Sequence, residues 1–491
     1  SIIKYFQTEM KKFDDVMEVQ ICVPMRIKGD LSCYNLNKRI QDIYNPKLNE
    51  GNEIEIVLEK KNENIKKYIL RVGDKVLNTK NNYKCTNVDG DITPVFNGNM
   101  GIVKEIGNDG CCTIDFVGIG EVVFNKKDSK NLELAYACTI HKCITDDTWL
   151  FTSNGLMQLK EFNNGASIGE QKIMTSDVDV FNGKELEKPI KFYNAGESEC
   201  KEIITENGYK IIATLDHGVD VLDTDGHIKK KYIKDVTSDD YLIVVPGSNV
   251  YGKNINLPQS WKVDTSKLNI RSKIFNSPNV LTIEFARFLG YMVADGVVCK
   301  HGLKYGKNHK NVVDDFNVVV SKIFGYSPKR PKQILPNGSM GGMWLSEINS
   351  RFISEYCKTI DGIQPHHKYV PDVILKAPKK FQIEFLKGVF EDGTVCVKKD
   401  KFDHISFTAK EELLIDQINM MLLNMGIVTS KYHRDKPESY TLFIYGKNCD
   451  KFIKEIGFIS DVKREKSMKY YNHLTSTSSK SIPYVKQIVL Q

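Results

Sequence analysis

Two nine-residue stretches, FLGYMVADG (residues 288–296) and FLKGVFEDG (residues 385–393), read as one motif written twice. Each is an apolar helix that contains a glycine and ends in an acid followed by glycine. Gly290 and Gly388 would let two such helices pack closely. Asp295 and Asp392, 97 residues apart, would then reach one shared point at the helix ends. Two carboxylates there offer hard oxygen ligands to a divalent ion such as Mg²⁺. Such an ion can activate water and stabilise a leaving oxygen. The copies are unequal. Gly290 to Asp295 is five residues, and Gly388 to Asp392 is four. Either Asp392 reaches the ion through a tightened helix end, or Glu391 substitutes, or the site is impaired.

The surrounding elements must hold these residues in place. TIEFARFLGYMVADG reads as a helix with Thr282 at its N-cap. In AKEELLIDQINMMLLNMGI, the residues Leu414, Ile418, Met421, Leu422 and Met425 recur at helical intervals, and Gly426 sits at the C-cap. FNVVVSKIF and DHISFT between the helices read as strands. Residues 265–491 are therefore expected to be a duplicated α+β domain, with halves at about 280–375 and 376–491. Residues 143–260 alternate short strands with turns and contain no long amphipathic helix. Gly247 to Ser260, with Pro258, reads as a linker. Residues 1–142 read as an α/β piece that becomes strand-rich and predicts a small β-barrel over about 70–136.

At 491 residues the chain has room for about three domains. It is 41% hydrophobic and 27% charged, ordinary for a globular protein. No apolar run reaches the roughly 18 residues of a membrane helix, so no membrane partner is expected. Twelve cysteines lack CxxC pairing, which argues against a zinc ribbon or disulfide framework and predicts a reducing, cytoplasmic setting. Charge is segregated. Residues 1–261 hold 33 basic and 39 acidic side chains, net −6, and residues 262–491 hold 36 and 23, net +13. The second block suits a polyanion such as double-stranded DNA.

The paired acidic motifs resemble the LAGLIDADG homing endonucleases, metal-dependent enzymes that cut duplex DNA. The resemblance implies that Asp295 and Asp392 hold Mg²⁺. HHKYVPDVIL resembles a block found in intein endonucleases and makes Lys368 a candidate for stabilising transition-state charge; Lys410 is a second candidate. GFISDVKREK and SIPYVKQIVL resemble the end of the same domain. CITDDTWLFTSNGLMQLKEF, from Cys143, resembles an intein's N-terminal splicing block. GYKIIATLDHGVDVL resembles its second block, with Thr214 and His217 in a T-x-x-H signature. An all-β, horseshoe-like Hint region over 143–260 follows from that likeness. In it the Cys143 thiol would attack the carbonyl of Lys142, helped by Thr214 and His217.

A splicing block ending in His-Asn is not found before Gln491, and Ser1 stands where an initiator Met would. The chain is therefore expected to be part of a longer product, with the remaining intein strands downstream or supplied in trans. Upstream, VPMRIKGDLSCYNLNKRIQDIYNP, RVGDKVLNTKNNY and LELAYACTIHK resemble the C-terminal part of a RecD-like helicase. Thr139, His141 and Lys142 would belong to its DNA- and nucleotide-touching motif. ATP concerns only the complete helicase, because no GxxxxGK[ST] loop occurs here. The rival expectation is a maturase-like nucleic-acid binder that does not cut.

Overall fold

The computed structural model describes residues 2–469, except 14, 24–29, 48–51, 62–63, 81, 96–97, 140–142, 164, 169–170, 174–176, 190, 225, 269–271, 335–341 and 399–400. The chain divides into two units, Ser1–Cys143 and Ile144–Gln491.

In the first unit, helices Ile2–Met10 and Cys33–Tyr44 accompany a hairpin, Ile54–Lys61 with Asn64–Leu70, and a six-stranded antiparallel sheet. The sheet runs in the order Thr86–Asn87, Gly120–Phe124, Cys112–Phe116, Met100–Ile106, Lys75–Asn78, Leu132–Leu134. The barrel expected over 70–136 is not closed: among the described residues the two outer strands do not pair with each other. They are two and three residues long, too short to wrap the sheet onto itself. Strand Ala137–Thr139 runs parallel to Ile21–Val23. The buried Asn37 amide anchors it, donating to the Leu134 and Ala137 carbonyls at 2.8 Å each and accepting from the Ala137 N–H at 2.6 Å.

In the second unit, residues 144–242 are all-β, with the strands in four separate small sheets. The segment expected to be a linker is instead a strap laid across the α+β part. Gly247 N–H donates to Leu423 O at 2.8 Å, and the Asn424 side chain donates to Val250 O at 2.7 Å. Leu257 and Trp261 then plug into the large core. The backbone groups of the strap are satisfied by a helix end, which a sequence rich in Asn, Gly and Pro does not announce.

The α+β part is built twice. The first copy runs helix Ile283–Ala294, strands Val297–Cys299 and Gly302–Lys307, helix Lys310–Phe324, strands Lys332–Ile334 and Met343–Ile348, and helix Arg351–Lys358. The second runs helix Lys379–Val389, strands Thr394–Lys398 and Lys401–Ala409, helix Glu412–Asn424, strands Ser430–Asp435 and Glu438–Tyr445, and helix Lys447–Glu455. In both sheets the spatial order of strands is first, second, fourth, third. Thr282 caps its helix by accepting from Phe285 N–H at 3.1 Å, and Gly426 ends another with φ of 75°. FNVVVSKIF is helix, not strand. Val312, Val313, Phe316, Val319, Val320 and Ile323 form a buried face at helical period, and that face outweighs the strand preference of valine.

The two acidic helices, Ile283–Ala294 and Lys379–Val389, cross glycine to glycine. A methyl group on Gly290 would overlap the Phe385 carbonyl oxygen, and one on Gly388 would sit 2.6 Å from Arg287 O and 3.1 Å from Gly290 Cα. Beside the crossing, Arg287 bridges Glu384 of the partner helix at 2.5 Å and Asp315 at 2.9 Å. An exposed helical glycine gains about 1 kcal/mol when changed to alanine. Gly290→Ala should have the opposite sign, losing about 1–3 kcal/mol through overpacking against backbone. Thermal denaturation checks this, and an unchanged or raised midpoint would contradict the close crossing.

Candidate active site

The helices end at one point. Asp295 is the C-cap of the first, its N–H donating to Tyr291 O at 3.2 Å. The second helix tightens as it ends: Glu391, Asp392 and Gly393 donate to the carbonyls three residues back, with Asp392 N–H to Val389 O at 3.0 Å. Such turns rise about 2.0 Å per residue against about 1.5 Å in an α-helix. Three tightened steps therefore recover about 1.5 Å, the length of the missing residue. The shorter motif brings its carboxylate to the same depth as the longer one.

Lys307, at the end of strand Gly302–Lys307, joins the pair. Its ammonium, 11% exposed, donates to both carboxylates, to Asp392 Oδ1 at 2.6 Å and to Asp295 Oδ2. Glu391 takes no part. Its side chain is fully buried and accepts from Ile459 N–H at 2.5 Å and Ser460 N–H at 3.2 Å. It therefore fixes the turn that begins helix Asp461–Met468 and does not face the ion position.

Each helix end also carries a buried lysine. Lys368, on the short strand His367–Lys368, donates to the Met292 and Gly296 carbonyls, the latter at 2.9 Å. Lys463 donates to Phe390 O at 3.0 Å and Glu391 O at 2.6 Å. Both neutralise the negative end of a helix. Burial pushes both ammonium groups down to about 8. Lys463 is a residue that sequence reasoning missed. Its signal was present in the spacing: Lys368 follows Asp295 by 73 residues and Lys463 follows Asp392 by 71. Lys410 is exposed and stands outside this constellation. Asp295, Lys307, His309, Asp392, Val462 and Lys463 line a cavity of about 400 Å³ at the helix ends.

The splicing candidates fall elsewhere. Thr214 is buried at the end of strand Lys210–Thr214, and His217 N–H turns back to Thr214 O at 2.9 Å. Ile144, which follows Cys143 in the chain, bridges to Ala213, which precedes Thr214. Thr139 ends a strand of the first unit, while His141 and Lys142 lie outside the described residues.

Residues 380–457 match the family model described as a LAGLIDADG-like domain. That stretch is the second copy, from its acidic helix to the helix behind its sheet. Among curated proteins the chain is similar to a DNA gyrase of Mycobacterium malmoense, 22% identical over 288 residues, covering 57% of this chain and 55% of that one. It is similar to a DNA polymerase of Pyrococcus horikoshii, 26% identical over 152 residues, covering 31% and 10%. It is also similar to a probable translation initiation factor IF-2 of Methanocaldococcus jannaschii, 27% identical over 273 residues, covering 49% and 22%. The chain thus spans between a tenth and just over half the length of these relatives. Solved structures that overlap it include I-DmoI in complex with DNA and Mn, at 14% identity and TM-score 0.27, covering 36% of this chain and 96% of that one. I-WcaI bound to its DNA recognition sequence overlaps at 14% identity and TM-score 0.29, covering 37% and 85%. TM-scores that low establish no shared fold.

Burial raises the Asp392 carboxyl above its ordinary value; Lys307 opposes the shift and Asp295 adds to it. An acid raised on folding holds its proton more tightly when folded. Its cost is absent in acid and fully present once pH exceeds the folded value. Asp392→Asn should therefore raise the thermal midpoint at pH 7, with the gain fading below about pH 4, the ordinary Asp value. A lower midpoint at pH 7 would mean that the Lys307 contact outweighs burial.

Proposed function

We propose that the second unit is a site-specific endonuclease that cuts both strands of duplex DNA, with Asp295 and Asp392 as its metal ligands. It would be carried inside an intein that interrupts a RecD-like helicase after Lys142, in a cytoplasmic, reducing setting. The observation that supports the nuclease reading best is the convergence of two acidic helix ends on a single ammonium, with a buried lysine on each end.

The residues suit a hard divalent ion. Two carboxylates that share one cation need positive charge between them, and their donors are all oxygen. Mg²⁺ held there would supply a readily deprotonated water and positive charge at the scissile phosphate. Lys307 would hand the carboxylates over to the ion and remain at the rim, available to a phosphate oxygen. Lys368 and Lys463 would keep each helix end neutral and add charge near one strand's departing oxygen. The open faces of the two sheets, together with the +13 charge of residues 262–491, would hold the duplex through its phosphates.

The splicing reading draws support from the relatives. Their names denote unrelated activities, and an alignment of 288 residues cannot fit inside the 143-residue first unit. A segment that recurs across such proteins behaves as an insert and not as part of any host's activity. In the first step the Cys143 sulfur would bond to the Lys142 carbonyl carbon, the peptide C–N bond would break, and His217 would protonate the leaving nitrogen. Thr214 would polarise the peptide. Completion would depend on intein strands supplied downstream or in trans. Thr139, His141 and Lys142 would serve the helicase, and ATP only the complete one.

A plasmid carrying the uninterrupted helicase coding sequence should be cut by the chain in Mg²⁺, and Asp295→Asn should abolish cutting. Binding without nicking would sink the nuclease reading and favour a non-cutting, maturase-like binder. Lys368→Met and Lys463→Met should each slow cutting by about 10²–10³-fold, the order seen when one charge-stabilising group is lost, and should leave nicked intermediates. Equal slowing of both strands would contradict the assignment of one lysine per strand. For the splicing step, dithiothreitol should release residues 1–142 from the chain, and Cys143→Ala should prevent it. Release that persists in the alanine variant would exclude the thioester.

A further inference from the structure

The second sheet holds a cluster of side chains that DNA cleavage does not use. Cys396, Asp403 and His404 each place a donor atom within 4.8 Å of the others. A bulge makes this possible. Cys396 pairs with His404, and the next pair is Val397 with Phe402, leaving Asp403 as an extra residue between them. In a regular strand Asp403 and His404 would point to opposite faces. The bulge turns both toward Cys396. Ile405 and Phe407 fill the core, so the cluster lies on the opposite, open face of the sheet.

The group is held in place. The His404 ring stands edge-on to Phe443 and Tyr445, with centroids at 5.0 and 5.7 Å. Its Nδ1 lies 2.8 Å from Asp403 Oδ2, and Lys398 pairs with the same carboxylate at 2.7 Å. Cys396 is a free, half-buried thiol.

We propose that Cys396, Asp403 and His404 bind a thiophilic divalent ion of the Zn²⁺ class, separate from the hard-ion pair at Asp295 and Asp392. The donors are one sulfur, one imidazole nitrogen and one carboxylate oxygen. That set suits zinc with three protein ligands and an open fourth position, and it disfavours Mg²⁺. The ion enters as the Cys396 thiol releases its proton. Thiolate and carboxylate then balance the two positive charges, and Lys398 is freed from Asp403. The ion would fasten strand Thr394–Lys398, which begins two residues after Asp392, to its neighbour Lys401–Ala409. It would do so on the face where the duplex is proposed to lie. The site does not depend on cleavage and stands even if the nuclease reading fails.

The test uses the chelator-treated full chain, titrated with Co²⁺ as a spectroscopic probe in excess Mg²⁺. One equivalent should bind and give a thiolate-to-cobalt charge-transfer band that Zn²⁺ bleaches. Cys396→Ser should remove the band, and His404→Ala should weaken binding at least about ten-fold. Asp295→Asn and Cys200→Ser should leave it intact. In the unmutated chain, Zn²⁺ should protect Cys396 from alkylation by iodoacetamide, read by peptide mass spectrometry, a result independent of how well the variants fold. A band that survives Cys396→Ser, or no protection of Cys396, overturns the proposal.

Discussion

Everything in the second unit depends on how close two helices can come. The Gly290–Gly388 crossing leaves no room for a methyl group on either side. It therefore fixes one helix against the other along the axis as well as across it. That matters because the carboxylates sit at the helix ends, five residues beyond one glycine and four beyond the other. A looser crossing would let the ends slide, and the shared ammonium of Lys307 could no longer reach both acids. The flanking sheets build outward from this seam. Each starts within two residues of an acidic residue, so the strands inherit their positions from the helix ends.

The seam also concentrates charge. Two carboxylates meet at the negative ends of two helices, an arrangement that repels itself without cations. The chain supplies three. Lys307 lies between the acids, and Lys368 and Lys463 sit on the carbonyls behind them. Burial works against the two outer ammonium groups and brings them down to about 8. They are held charged by backbone oxygen and by the nearby acids at some expense in solvation. A group kept in so unfavourable a place is better explained by the charge it offers a substrate than by its contribution to stability.

Much of this was legible in the residues. The duplicated motif, the two glycines, the Thr282 cap and the Gly426 stop all follow from spacing and local chemistry. The misreadings have a common origin: each was settled by contacts far away in sequence. FNVVVSKIF is strand-like by valine content, yet its buried face meets the core at helical period. Gly247–Ser260 lacks any pattern because its partners, Leu423 and Asn424, lie more than 160 residues on. The barrel expected near residues 70–136 fails at its edges, where Thr86–Asn87 and Leu132–Leu134 are too brief to meet. Lys463 was hidden because one lysine in GFISDVKREK looks like its neighbours. Only the copy-to-copy spacing, 73 residues against 71, singles it out.

The shortened second motif is better understood as a division of labour than as damage. In the first copy Ala294 precedes Asp295; in the second Glu391 precedes Asp392. Glu391 points away from the cavity and accepts from Ile459 and Ser460, at the turn that launches helix Asp461–Met468. That helix carries Lys463, which returns to the carbonyls of Phe390 and Glu391 and lies 3.8 Å from the Glu391 carboxylate. The loop of contacts closes on itself: the acid positions the helix, and the helix positions the lysine that caps the acid's own turn. A full α-helical turn at this point would rotate Glu391 out of that pocket. The tighter turn therefore serves two ends at once, bringing Asp392 level with Asp295 and freeing Glu391 to anchor the last helix.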